Sequence, residues 1–377
     1  MSSPSCSASS SSALSTTGER NIRALIVVCR YLGDVLLATP LARSLQQAGY
    51  QIDWLVASGT EALIAHQSFA HSVFTISASV PWQDQLRLAK RLWRQYDRAF
   101  VLTASDRPML LALAAAQQTY ALIPAHGHQY AWKRFAAHSW IPYEAKEHMV
   151  WRAMQLAALA GLPECADVGI EWSDADRQQA CQQLPWHDDA PYIQIHPFAR
   201  WRYKWWPQAH WRTLIESILD SGLRVVITGS PAEQTAAEAL IAGLEAQKAT
   251  ALAGAFSWQQ LACLSAQATA YIGLDTANTH LAASTGTPVV TLFGPTDPRI
   301  WGPWSNGSKH ATPWQASTPH GVQRVGNISL LQGTNSCVPC QMEGCQRQPE
   351  SDSDCLQTMT VESVWAELQH RLNHLTI

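Results

Sequence analysis

ALIVVCRYLGDVLLATPLARSLQQAGYQIDWLVA, residues 24–57, decides the fold class. ALIVVC (24–29) reads as a buried strand, DVLLATPLARSLQQAG (34–49) as a helix and IDWLVA (52–57) as a second strand. Short apolar runs bounded by turn residues suit a sheet covered on both faces, while the middle stretch repeats at helical spacing. This is one βαβ unit. VFTIS (73–77), a helix in QDQLRLAKRLWRQY (83–96) and AFVL (99–102) continue the rhythm, which implies a doubly wound parallel sheet.

The rhythm stops in EWSDADRQQACQQLPWHDDAP (171–191), a polar stretch with two prolines, and then restarts. YIQIHP (192–197), LRVVITG (223–229), ATAYIG (268–273) and PVVTLFG (288–294) read as strands. QAHWRTLIESILDSG (208–222), WQQLACLSAQA (258–268) and TANTHLAAST (276–285) read as helices. The expected organisation is a disordered Ser-rich tail over 1–20, an N-terminal Rossmann-like domain over 21–172, a linker over 173–190 and a C-terminal Rossmann-like domain over 191–358. The second domain carries a Cys-rich loop at 337–355. A final helix in 359–377 is expected to pack back across both domains. Two such halves face each other across a cleft.

With 377 residues, 47% of them hydrophobic and 15% charged, the chain is neither a small disulfide scaffold nor a disordered one. A formal net charge of −3 argues against a nucleic-acid partner. No run of about 18 apolar residues occurs, and the first twenty residues lack a basic start and an apolar stretch. The expected location is cytoplasmic, at most peripheral on a membrane surface. Seventeen tryptophans against seven phenylalanines stand out. Six of them, Trp201, Trp205, Trp206, Trp211, Trp301 and Trp304, lie beside the motifs described next, which suggests a surface for handling a sugar.

In CRYLGDVLLATP (29–40), Gly33 and Asp34 stand where the first strand ends and the helix begins. Asp34 can serve as a helix cap, or, facing a cleft beyond the strand ends, as a general base. A G-x-G-x-x-G fingerprint is absent, which disfavours a nicotinamide enzyme. HPFARWRYKWWPQAHW (196–211) places Arg200, Arg202 and Lys204 after a strand and among tryptophans, a set suited to a phosphate. In GLDTANTHLAASTGTPVVTLFGPTDP (273–298), Asp275 and Thr276 end a strand and open a helix whose free N–H groups can hold a diphosphate. His280 lies about a turn further on. Gly294, Pro295 and Thr296 close the next strand toward the same crevice.

D-x-D pairs occur only at Asp174–Asp176 and Asp352–Asp354, outside these turns, which is poor support for a metal-dependent transferase. Cys337, Cys340, Cys345 and Cys355 have a spacing that could hold one structural zinc, with disulfides or free thiols as alternatives. Residues 83–98 carry Arg87, Lys90, Arg91, Arg94 and Arg98 between leucines. That helix is either an ordinary solvated surface or a contact for an anionic membrane leaflet or acceptor phosphates.

RYLGDVLLATP, ARWRYKWWP and GLDTANTHLAASTGTPVVTLFGPTDP together resemble the heptosyltransferases of lipopolysaccharide core synthesis, glycosyltransferase family 9. ARWRYKWW with WGPWSN (301–306) is most similar to the heptosyltransferase III branch, which adds a branch heptose to the inner core. The resemblance implies a GT-B fold and inverting transfer without a catalytic cofactor. It also implies an ADP-heptose donor on the C-terminal domain and a lipid-linked inner-core acceptor on the N-terminal domain. Carried over by motif, Asp34 matches the base and Lys204 the cation on the donor phosphate. Asp275, Thr276 and His280 match the donor-binding helix start, and Glu233 in GSPAEQ the acid on the adenosine ribose. Where the family carries small hydroxyl residues ahead of the lysine, this chain has Ala199 and Arg200. An epimerase of the same fold and a non-catalytic nucleotide-sugar-binding protein are the alternatives.

Overall fold

The computed structural model describes residues 22–374 except 78, 80, 144, 145 and 187–189. The Ser-rich tail over 1–20 and part of the expected linker lie outside the described residues. The first half runs β1 (Arg23–Val28), α1 (Leu32–Leu37), α2 (Thr39–Gln47), β2 (Gln51–Ala57), β3 (Ser72–Ile76) and α3 (Trp82–Leu92). It continues through β4 (Tyr96–Val101), α4 (Asp106–Ala115), β5 (Ala116–Ile123), α5 (Ala131–Ala136), β6 (Ser139–Pro142) and α6 (Met149–Leu159). These strands form a parallel six-stranded sheet in the order β3-β2-β1-β4-β5-β6.

The second half comprises α7 (Asp174–Gln182), β7 (Tyr192–His196), α8 (Gln208–Asp220), β8 (Arg224–Ile227), α9 (Gln234–Ile241), β9 (Ala249–Ala251) and α10 (Trp258–Gln267). There follow β10 (Ala270–Leu274), α11 (Ala277–Ser284), β11 (Val289–Phe293), α12 (Pro298–Trp301), β12 (Val322–Val325), β13 (Ile328–Gln332), α13 (Asp354–Gln357) and α14 (Val361–Asn373). Its seven-stranded sheet has the order β12-β13-β11-β10-β7-β8-β9 and is parallel except for the β12–β13 hairpin. Chain direction across each sheet reverses beside β1 and beside β7. Crevices at the carboxyl ends of the strands there are where such sheets bind ligands.

Several sequence expectations change. The helix expected over 34–49 is two helices, because Pro40 has no N–H to offer Leu36. The Thr39 hydroxyl donates to that carbonyl at 2.7 Å instead, and the chain bends at Ala38. The helix expected to reach residue 96 stops at Leu92, since Trp93 leaves helical geometry and Arg94 takes a left-handed φ of 51°. Within the expected linker, Ser173 and Asp176 form a capping box that starts α7, which packs on α10.

Among the described residues, the final helix packs on α8 and the strands of the second domain. Val361, Val364 and Leu368 of α14 join Trp206, Trp211 and Ile218 in that domain's core. What joins the domains is an apolar cluster on the α1, α2 and α6 face of the first sheet. It continues through Leu36, Met149 and Val150 into Ala262, Leu281, Ile300 and Trp304 of the second domain.

Candidate active site

Asp34 is the third residue of α1, not its cap. Its Oδ2 accepts the N–H of the capping residue Tyr31 at 3.3 Å, and Arg30 Nη1 lies 3.8 Å from its Oδ1. The side chain is 9% exposed. Burial pushes the Asp34 carboxyl above its ordinary value, opposed by the Arg30 guanidinium, N–H groups of its own turn and the Lys204 ammonium. A carboxylate with raised proton affinity at the end of the central strand is suited to accept a proton. Beside it is a small pocket lined by Val28, Leu37, Leu102 and Met149, all from the first domain.

Across the crevice, Lys204 Nζ donates to Asp275 Oδ2 at 2.6 Å and to the Asp275 carbonyl at 3.3 Å. The Thr296 hydroxyl donates to the same Oδ2 at 2.6 Å. Turns after β7, β10 and β11 therefore converge on one carboxylate. Burial works against both charges, but each partner outweighs it: Lys204 is held above its ordinary value and Asp275 below. Thr276 caps α11 without making a side-chain capping bond, so the first N–H groups of that helix remain available to an anion. His280 is buried, its Nδ1 has no hydrogen-bond partner, and burial lowers its pKa to about 4 against the pull of Asp275. The two walls approach closely here. A methyl group placed on Gly33 would lie 3.5 Å from the His280 ring.

The other expected residues stand around this cluster. Gly294 and Pro295 shape the turn behind Thr296: their carbonyls accept from Gln332 Nε2 at 3.1 Å and the Gln341 N–H at 2.8 Å. A methyl group placed on Gly294 would meet Leu356 Cδ1 at 2.7 Å, so the buried Leu356 packs directly against that wall. Arg200 is exposed, with its guanidinium 4.7 Å from the Trp201 ring centre and 5.8 Å from that of Tyr31 in the other domain. Arg202 pairs with Asp352 at 3.0 Å, away from the Lys204 cluster. Glu233 follows β8, one strand further along the rim, and closes its own turn by accepting the Ser230 N–H at 2.6 Å.

The expected tryptophan surface shrinks to Trp201 and Trp301, half-buried beside the guanidinium groups of Arg200 and Arg30, because the other four pack inward. Trp206 and Trp211 are 1% exposed and pack edge to face at 5.0 Å in the second domain's core, where Trp205 lies against them and donates to the Ala199 carbonyl. Trp304 is buried where the domains meet, 4.8 Å from the His148 ring. The turn Arg202–Lys204 sends the lysine to the rim and the indoles after it inward. Of the alternatives open to the four loop cysteines, the structure shows free thiols, Cys355 turned inward under Gly333 and Cys337 and Cys345 exposed. Among the described residues no group of three or more His, Cys, Asp or Glu is arranged to hold a metal ion. Sequence reading also passed over Arg30, adjacent to the motif it used, and His148, whose Nε2 lies 2.6 Å from the Gly302 carbonyl across the domain junction.

The glycosyltransferase family 9 (heptosyltransferase) model matches residues 85–323, well over half of the chain. The protein belongs to glycosyltransferase family 9. This family 9 enzyme is 27% identical over 294 residues to lipopolysaccharide heptosyltransferase 3 of Escherichia coli K12, covering 73% of this chain and 83% of that one. It is 29% identical over 353 residues to lipopolysaccharide heptosyltransferase 1 of Pseudomonas aeruginosa, covering 88% and 89%. The structure of E. coli ADP-heptose lps heptosyltransferase II matches with a TM-score of 0.73 at 21% identity, over 94% of this chain and 100% of that one. The fold is GT-B. Family membership sets aside the epimerase and the non-catalytic binding protein.

Proposed function

We propose that the protein transfers a heptose from ADP-L-glycero-D-manno-heptose to the lipopolysaccharide inner core, with inversion, on the cytoplasmic side of the inner membrane. The observation that carries this reading is the opposition of a buried, proton-hungry Asp34 to the Lys204–Asp275–Thr296 cluster across one crevice. In this reaction the acceptor oxygen attacks the anomeric carbon as Asp34 takes its proton, and the bond from that carbon to the diphosphate oxygen breaks. Lys204, Arg200 and the N–H groups that open α11 take up the charge growing on the departing ADP. Asp275 and Thr296 hold Lys204 in place, His280 offers its free Nδ1 to the donor, and Glu233 contacts the ribose. The first domain holds the acceptor beside Gly33 and Asp34.

The motifs ARWRYKWW and WGPWSN are the support for an inner-core branch heptose as the product. Purified protein with ADP-heptose and a panel of truncated core acceptors, followed by mass spectrometry, tests this. The expected result is a gain of one heptose on one acceptor class. Asp34→Asn should lower transfer at least about a hundredfold while ADP still binds. Transfer that survives this substitution, or a panel with no heptose gain, would sink the reading.

A further inference from the structure

The helical layer α3, α4 and α5 covers one face of the first sheet, held by Leu92, Met109 and Ala112 beneath it and by Lys133 pairing with Asp106 at 2.6 Å between α5 and α4. Its outer side is apolar to an unusual degree. Six of the large hydrophobic side chains exposed in the described residues lie here: Trp82, Leu86 and Trp93 on and just after α3, Leu110 on α4, and Trp132 and Phe135 on α5. Phe135 is 94% exposed, Trp82 68% and Trp93 57%.

Burial of Leu88, Ala89 and Leu92 already accounts for α3's attachment to the sheet. Trp82 and Leu86, four apart on α3, start a second apolar stripe, and the exposed Trp93 lies just past the end of that helix. Arg87, Lys90, Arg91 and Arg94 flank that stripe and Asp84 is the one carboxylate among them, so this segment is cationic in a chain whose net charge is −3. The sheet is parallel, so the starts of α3, α4 and α5 lie at the same carboxyl rim as Asp34.

We propose that this layer docks on an anionic phospholipid leaflet, the aromatic side chains entering the headgroup region and the flanking cations meeting lipid phosphates. Aromatic rings at the interface with basic residues beside them are what such a surface selects. The charge complement favours a lipid surface over a second copy of this chain, which would set like charges against each other. Docking there presents the rim of the crevice to the membrane, where a lipid-linked acceptor enters from the side. The inference rests on that acceptor, and vesicle binding reads it without any transfer taking place.

Flotation of the full chain with phosphatidylglycerol-containing vesicles tests it, beside vesicles of phosphatidylcholine alone. Wild type should float with the anionic vesicles and lose this in high salt, and the double variant W82S/F135S should partition about tenfold less. K90E/R94E should lose the preference for anionic lipid. Turnover on a deacylated, water-soluble acceptor should stay within about twofold of wild type in both variants, which separates docking from folding and from the proposed transfer. Undiminished flotation of W82S/F135S, or equal flotation with both vesicle types, would overturn the proposal. So would a dimer in sedimentation velocity that W82S/F135S dissolves, since it would give this face to a second copy.

Discussion

Arg30 and Asp34 sit four residues apart at the mouth of the first crevice, and the arginine restrains the upward push that burial gives the carboxyl. Arg30→Gln should therefore raise the Asp34 pKa further and move the acid limb of the kcat/KM profile to higher pH, with ADP binding unchanged. An acid limb left in place would show that another group governs it. Asp34, Lys204 and Asp275 were legible as neighbours of the crevice because each lies in the segment from a strand's end to the first turn of the helix after it, and a doubly wound sheet puts such segments on one rim. Arg30 was not, since its influence depends on which way an exposed guanidinium lies. For Glu233, the local Ser230–Glu233 spacing also spells a capping box, which is the bond the structure forms.

At the scale of elements, strand starts and most helix ends followed from apolar runs and from Gly and Pro, whereas the direction of side chains did not. The tryptophans after Lys204 show why: both a solvent-facing platform and a core plug fit an aromatic beside cations, and only packing of α8 against α14 decides. Trp206→Ala should cost about 3–5 kcal/mol in urea unfolding, because it empties a site shared with Trp211 and breaks the bond from the indole N–H to the Met359 carbonyl. A loss below about 1 kcal/mol would return Trp206 to the surface. The β12–β13 hairpin is marked in the sequence only by the two-residue turn Gly326–Asn327 before the apolar ISLL, since its first strand, VQRV, is no apolar run. Its antiparallel pairing lies outside the βαβ rhythm that guided the rest.

For the molecule as a whole, buried histidines set the acid limit. His148 is held near pH 3 and His196 and His280 near 4, in each case chiefly by burial. Their pKa values are depressed in the fold, so the unfolded chain binds more protons once the pH falls below the ordinary histidine value of about 6.5. Stability is then full above that pH and drains away toward pH 4. The midpoint of thermal unfolding should fall steadily over that window, and His148→Gln should flatten the fall. A midpoint level from pH 7 to 4 would contradict neutral burial of these rings.

The apolar cluster that runs from α2 and α6 of the first domain into Leu281, Ile300 and Trp304 of the second has a kinetic consequence. Swinging the halves fully apart would bring those side chains into water, whereas a small rotation about the cluster as a hinge keeps them covered. Opening of the crevice by such a rotation is greatest at the rim holding Tyr31 and Arg200. In the proposed reaction, ADP would leave past that edge with the back of the molecule shut.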